Sequence, residues 1–292
     1  MQMKFSPKTI CLILLLALAA CSNTSSVHQS QLHPLHAKSP PIWQTIQQHL
    51  ALQHFTDQPA VKSHYKQYCK HAYQIEQTLD ETLPTLATIA QIAVKDDLPS
   101  ELILLPYIES HYNPEAYSRT GAAGLWQIMP GTASGLGLRV NWWTDQRKNM
   151  LTSTEAALSY LDYLFHYFDE NWLLAIAAYD SGEGTVKAAI RRNKRANKPT
   201  DFWSLPLPNE TRAYIPRLLA LSEIIQHPEH CDLTLPAEDV IPLTKVNIPM
   251  QLTMDELAQG AHMSPDSIAA FNPQYLRGMT EFKQPKQQLL LP

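Results

Sequence analysis

The segment Glu101-Leu-Ile-Leu-Leu-Pro-Tyr-Ile-Glu109-Ser110-His111-Tyr112-Asn113-Pro114 holds the first side chain whose setting bears on chemistry. On a helix, Leu102, Leu105 and Glu109 fall at i, i+3 and i+7, on one face. An acid at the end of an apolar stripe is a conflict, because burial disfavours its charged form and raises its pKa. From about 4.3, a rise to about 6–7 suits a general acid near neutral pH. Pro106 has no N–H to give such a helix, so it is expected to distort the last turn and aim Glu109 out of the packing. The spacing alone fits another state better, a partly exposed glutamate at a fraying helix end, since lone helical carboxylates are mostly solvated.

The next stretch, Ser118-Arg-Thr-Gly121-Ala-Ala-Gly124-Leu-Trp126-Gln127-Ile-Met129-Pro130, has glycines for tight turns. Trp126, Gln127 and Met129 bring apolar faces and an amide within a few residues, as a sugar site needs to cover rings and bond hydroxyls. Taken singly, Trp126 and Met129 suit the core better. Further on stand Ala178-Tyr179-Asp180-Ser181-Gly182-Glu183-Gly184 and Glu210-Thr211-Arg212-Ala213-Tyr214. These four motifs, in this order from about Ile92 to Leu221, resemble the lytic murein transglycosylases of the soluble-transglycosylase type. Asp201-Phe-Trp-Ser-Leu-Pro-Leu-Pro before Asn209 and Glu210 is most similar to a membrane-bound branch of that family.

The resemblance implies an enzyme with a lysozyme-like fold of the goose type. It would cleave the β-1,4 bond between N-acetylmuramic acid and N-acetylglucosamine in peptidoglycan without adding water. The muramyl 6-hydroxyl closes on C1 to give a 1,6-anhydro end, and neither metal nor cofactor is used. By motif match, Glu109 is the catalytic acid and then the base. Ser118, Gln127 and Met129 would line sugar subsites. Tyr179 would sit beside the reacting sugar, bonding near its N-acetyl group or Glu109; otherwise it is a core tyrosine. Glu210 would bind sugar hydroxyls with Tyr214 close by; otherwise it is a surface acid paired with Arg212. Asp180 departs from the family, which usually has Asn there, and an ionised Asp cannot donate as an amide does. A muramidase on the same fold, or a non-catalytic wall-binding lipoprotein, are the alternative readings.

Helices must position these groups. Leu79, Leu83 and Leu86 recur at helical spacing before Ile89, Ile92 and Ala93. Thr152 and Glu155 have capping-box spacing ahead of an apolar face of Leu158, Leu161, Phe165 and Phe168. Trp172 to Tyr179 reads as a short apolar helix, Val186 and Ile190 lie on the next, and Tyr214 to Ile225 closes the set. The chain is therefore mainly α up to Pro236. Beyond it, Val246 and Ile248 alternate like a strand, Thr253 to Ala261 and Ser264-Pro265-Asp266 open helices, and Gln288 to Leu291 closes as a strand. This β-α-α-β module resembles the LysM-like segment of the same family. It either binds glycan or packs as an appendage.

The 292 residues are 45% hydrophobic and 17% charged, which reads as globular. A net charge of −4 argues against a nucleic-acid partner, and the 9 glycines form no phosphate loop. Lys4 and Lys8 give a positive start before an apolar run from Ile10 to Ala20 that is too short for a span. Leu18-Ala19-Ala20-Cys21-Ser22 resembles a lipoprotein box, so Cys21 is expected to carry lipid and tether the chain to the outer membrane, facing the periplasm. The expected map is a signal peptide at 1–20, a polar tether at 21–41, a helical segment at 42–90, the lysozyme-like domain at 91–231 and the small module at 240–292. In an oxidising compartment Cys69 and Cys231 either pair or stay as two buried thiols. His227-Pro-Glu-His230-Cys231 has metal-binding letters without common zinc spacing. The basic run from Lys187 to Lys198 suits a solvated helix end better than a site for anionic stems.

Overall fold

A computed structural model describes residues 42–52, 57–236, 243–282 and 287–291. The expected signal peptide, Cys21 and the tether lie outside the described residues. Ten helices of the body come first: α1 (Ile42–Gln48), α2 (Pro59–Lys70), α3 (Ala72–Glu81), α4 (Leu83–Lys95), α5 (Leu105–Ser110), α6 (Pro130–Gly135), α7 (Met150–Tyr167), α8 (Trp172–Ser181), α9 (Glu183–Arg195) and α10 (Asn209–Gln226). The module follows as β1 (Thr244–Ile248), α11 (Met254–Ala261), α12 (Pro265–Phe271) and β2 (Gln287–Leu291). The described part is mainly α, as expected.

Local chemistry sets the boundaries. The leucine pattern from Leu79 onward is split between α3 and α4 at Thr82, because Pro84 lies in the first turn of α4, where its missing N–H costs nothing. Helix α7 starts earlier than a Thr152 cap allows. Asn149 is the cap, its side chain accepting from the Thr152 N–H at 2.8 Å, so the Thr152–Glu155 capping box does not form. Helix α8 is apolar on nearly all sides and central, with Leu174 to Ala178 buried. Gly182, at φ +86°, ends it and starts α9.

Helix α10 packs against α2, α8 and α5, and α7 against α8 and α4. One apolar cluster runs through the body, from Trp43 through Leu86, Leu102, Leu161 and Ile176 to Leu221. Cys69 on α2 is disulfide-bonded to Cys231 in the turn after α10, 162 positions further along the sequence. That resolves the two options for these cysteines in favour of pairing.

In the module β1 and β2 pair antiparallel, Thr244 opposite Leu291 and Ile248 opposite Gln287. A small core of Ile248, Met254, Leu257, Ala258, Ile268 and Leu289 lies beneath. Thr253 and Glu256 make a reciprocal capping box, and Ser264 caps α12 with Pro265 next to it. The module leans on the loop at 139–145. Gln274 offers its carbonyl to Thr144 and Asp145, Leu276 N–H bonds Trp143, Glu281 pairs with Arg139 at 2.8 Å, and Arg277 lies over the Trp142 ring. Among the described residues, no helix is long and apolar enough to cross a membrane.

Candidate active site

Glu109 is near the end of α5, and the geometry there differs from a single amphipathic helix. Ser100–Leu104 is a 3₁₀ turn, and the α-helix begins only at Leu105. Pro106 is therefore in the first turn of α5, not in a distorted last turn. Its missing N–H would be unpaired at that position in any helix. What aims Glu109 is the helix end. His111 and Tyr112 both adopt left-handed backbone, φ +53° and +58°, which stops the helix two residues after the acid. Tyr112 is buried and its hydroxyl donates to the Ile103 carbonyl at 2.9 Å, fixing that stop to the core. Ser110 donates to the Leu125 carbonyl at 2.9 Å and so ties the acid's helix to the tryptophan loop.

That loop is pinned from behind. Gly124 has φ +79°, and a Cβ on it would lie 1.9 Å from the Arg147 carbonyl oxygen. The Arg147 guanidinium forms a buried two-point pair with Asp145, at 2.9 and 2.7 Å. It also donates to the Gly121 and Ile128 carbonyls at 2.6 and 3.1 Å. Trp126 is fully buried, its indole N–H donating to the Thr154 hydroxyl at 2.9 Å. It is a core residue and offers no face to a ligand, whereas Met129 is 41% exposed.

The result is a cavity of about 560 Å³. Glu109, Ser118, Gln127, Met129, Tyr179, Glu210 and Tyr214 all line it, so the seven residues given site roles by motif match meet in one place, without Trp126. Tyr214 donates to Glu109 Oε1 at 2.5 Å. The Tyr179 hydroxyl goes to the Trp126 carbonyl at 2.8 Å, not to Glu109. Gln127 spends its amide hydrogens on the Gly124 and Ala116 carbonyls, which shapes the loop. Ser118 accepts from the Ala122 N–H and bonds Thr120. Glu210 is exposed at the rim, and among the described residues no ion pair joins it to Arg212. Tyr160, Asp180 and Arg217 also line the cavity. Arg217 lies outside the motifs, although it stands i+3 from Tyr214 and i+7 from Glu210 on α10, a spacing that could have found it. Tyr160 carried no comparable signal.

The electrostatics follow from this packing. Burial pushes the Glu109 carboxyl up to about 7; the Tyr214 hydrogen bond and the Arg217 charge oppose the rise, while Asp180 and Glu210 add to it. Asp180 is itself held above the usual carboxylate range by burial, against a hydrogen bond from Thr211. Burial also keeps the Tyr179 and Tyr214 hydroxyls protonated, each pushed further by Glu109. Near neutral pH the site thus combines a carboxyl that can give or take a proton with neutral phenols beside it. The letters at His227, Glu229 and His230 do come together, with one ligand-type atom from each within 4.8 Å, on an exposed turn away from the cavity lining. Cys231 beside them is taken up by the disulfide.

Residues 88–202 match the family described as the Transglycosylase SLT domain. Residues 242–292 match the LysM-like domain of the lytic transglycosylase MltD. The chain thus carries an SLT domain at 88–202, followed by an MltD-type LysM-like domain at 242–292. Among individual proteins it is 38% identical over 213 residues to membrane-bound lytic murein transglycosylase D of Escherichia coli (strain K12), covering 73% of this chain and 47% of the relative. It is 33% identical over 120 residues to the soluble lytic murein transglycosylase of the same strain, covering 38% of this chain and 18% of that protein. A crystal structure of an inactive mutant of lytic transglycosylase Slt from Pseudomonas aeruginosa overlaps it with a TM-score of 0.40 at 25% identity. That overlap covers 50% of this chain and 24% of the other. The chain spans about half the length of the curated membrane-bound relative it matches.

Proposed function

We propose that this protein is a peptidoglycan lytic transglycosylase with a lysozyme-like catalytic domain, in which Glu109 serves first as acid and then as base. The observation that carries the reading is a carboxyl raised to about 7 on the wall of a cavity that also gathers the other motif residues. Protonated Glu109 gives its hydrogen to the oxygen linking N-acetylmuramic acid to N-acetylglucosamine, and the C1–O bond breaks. The muramyl N-acetyl oxygen shares the positive charge at C1, the substrate-assisted exception to the two-carboxylate scheme. Ionised Glu109 then takes the proton of the muramyl 6-hydroxyl as that oxygen bonds C1. The ring closes, the acid is restored, and no water is consumed. An intramolecular hydroxyl has a high effective concentration, which lets it outrun water in a shielded site. Tyr214 steadies the charged form of Glu109 between the two steps.

Asp180 and Glu210 favour a second reading, since a hydrolase needs another carboxylate to activate water or to trap C1. Mass spectrometry of digested sacculi separates the two. Anhydro ends are expected; reducing ends, one water heavier, would make the protein a muramidase. Glu109→Gln is expected to lower the rate by at least about 10²–10³-fold while glycan still binds. Activity surviving that change removes Glu109 from its role. The leader-like start, the Cys21 box and the membrane-bound relative support an outer-membrane lipoprotein acting from the periplasmic side in cell-wall turnover. The SLT and LysM-like matches support peptidoglycan strands as its partner.

A further inference from the structure

Helix α7 presents two faces. One sends Leu158, Leu161 and Leu164 into the core. The other carries Tyr160, Tyr163 and Tyr167, at i, i+3 and i+7, where a solvated helix would carry charges. Tyr160 lines the cavity and sits 6.1 Å, centroid to centroid, from Tyr179. Tyr163 follows at 6.1 Å with its ring nearly parallel, at 12°, and Tyr167 at 5.6 Å from Tyr163. Lys187 of α9 closes the run, its ammonium 4.2 Å from the Tyr167 centroid. Tyr160 and Tyr167 lean on the body's core, but Tyr163 is 49% exposed and takes no part in it. Core packing does not account for an exposed aromatic ring held between two others on a track that begins inside the cavity.

We infer that this tyrosine track is an outer saccharide subsite, on which sugar rings beyond the cavity stack as the glycan strand leaves it. The inference rests on the reading of the cavity given above. Pyranose rings have an apolar C–H face that suits an aromatic surface. The centroid spacing is about one sugar ring. The cation at the far end suits the carboxylates carried by the muramyl stems.

Tyr163 is the residue to change, because its side chain adds nothing to the core. In the Glu109→Gln protein, which holds substrate without cutting it, affinity is measured for long glycan strands and for a tetrasaccharide. Adding Tyr163→Ala is expected to weaken long-strand binding about tenfold and leave the tetrasaccharide unchanged. Tyr163→Phe, which keeps the ring, should match the parent on both. Equal long-strand affinity for Tyr163→Ala and the parent overturns the track while leaving the cavity reading intact. So does an equal loss on the tetrasaccharide, which would mean a disturbed cavity. A parent that binds neither ligand has lost the cavity reading itself, and the track with it.

Discussion

The Glu109 carboxyl lies between a donor that favours its charge, Tyr214 at 2.5 Å, and two acids that oppose it, Asp180 and Glu210. Opposite changes therefore have opposite signs. Tyr214→Phe removes the hydrogen bond, so the pH at which activity falls should rise, by about one unit or less. Asp180→Asn removes a neighbouring negative charge, so that pH should drop. Rate profiles of the two variants check this, and a shift of both in one direction contradicts it. Asp180→Asn also restores the amide usual in the family. At this scale the motifs made Glu109 and its companions legible. Spacing alone did not, because it favoured a solvated glutamate. Ser110 was hidden because its partner, the Leu125 carbonyl, is distant in sequence. The core reading of Trp126 was open to sequence, but the partner of its indole N–H, Thr154, is 28 residues away and no local pattern reveals it.

Among the elements, the loop from Tyr117 to Ile128 sets the cavity wall, and it is held by side-chain donors to its carbonyls from Ser110, Arg147 and Tyr179 and by a close backbone approach at Gly124. Gly124 is the tightest point. Gly124→Ala forces a Cβ onto the Arg147 carbonyl at a positive φ and should destabilise the fold by about 2–4 kcal/mol. A thermal melt reads this, and an unchanged midpoint would mean that the loop relaxes freely. Most helices of the body were legible from periodicity, and the module's cap at Ser264 from residue type. The α3–α4 break and the start of α7 were not. A 3.6-residue pattern passes through Thr82 unchanged, and Asn149 competes with Thr152 for the same N–H groups.

Across the whole molecule, two long-range ties frame the site. One is the contact of the C-terminal module with the 139–145 loop, which leads through Asp145 and Arg147 to the cavity wall. The other is the Cys69–Cys231 bond between α2 and the turn after α10. Replacing both cysteines with serine frees a very long loop in the unfolded chain. It should lower stability by about 3–5 kcal/mol, seen as a lower melting midpoint with catalysis retained at moderate temperature. Loss of catalysis without loss of stability would place the bond in the site's own geometry. The sequence left this pairing open because two cysteines in an oxidising compartment fit either state. It also concealed the tyrosine track, since one helix supplies both that face and a core face of ordinary spacing.

The central claim is tested most directly by the pH dependence of kcat/KM on intact sacculi. The free protein must hold a proton on Glu109 to begin the reaction, so the rate should fall with a midpoint near 7. A profile flat between about pH 5 and 8, or one falling at the ordinary glutamate value of about 4.3, would contradict a single raised carboxyl driving the chemistry.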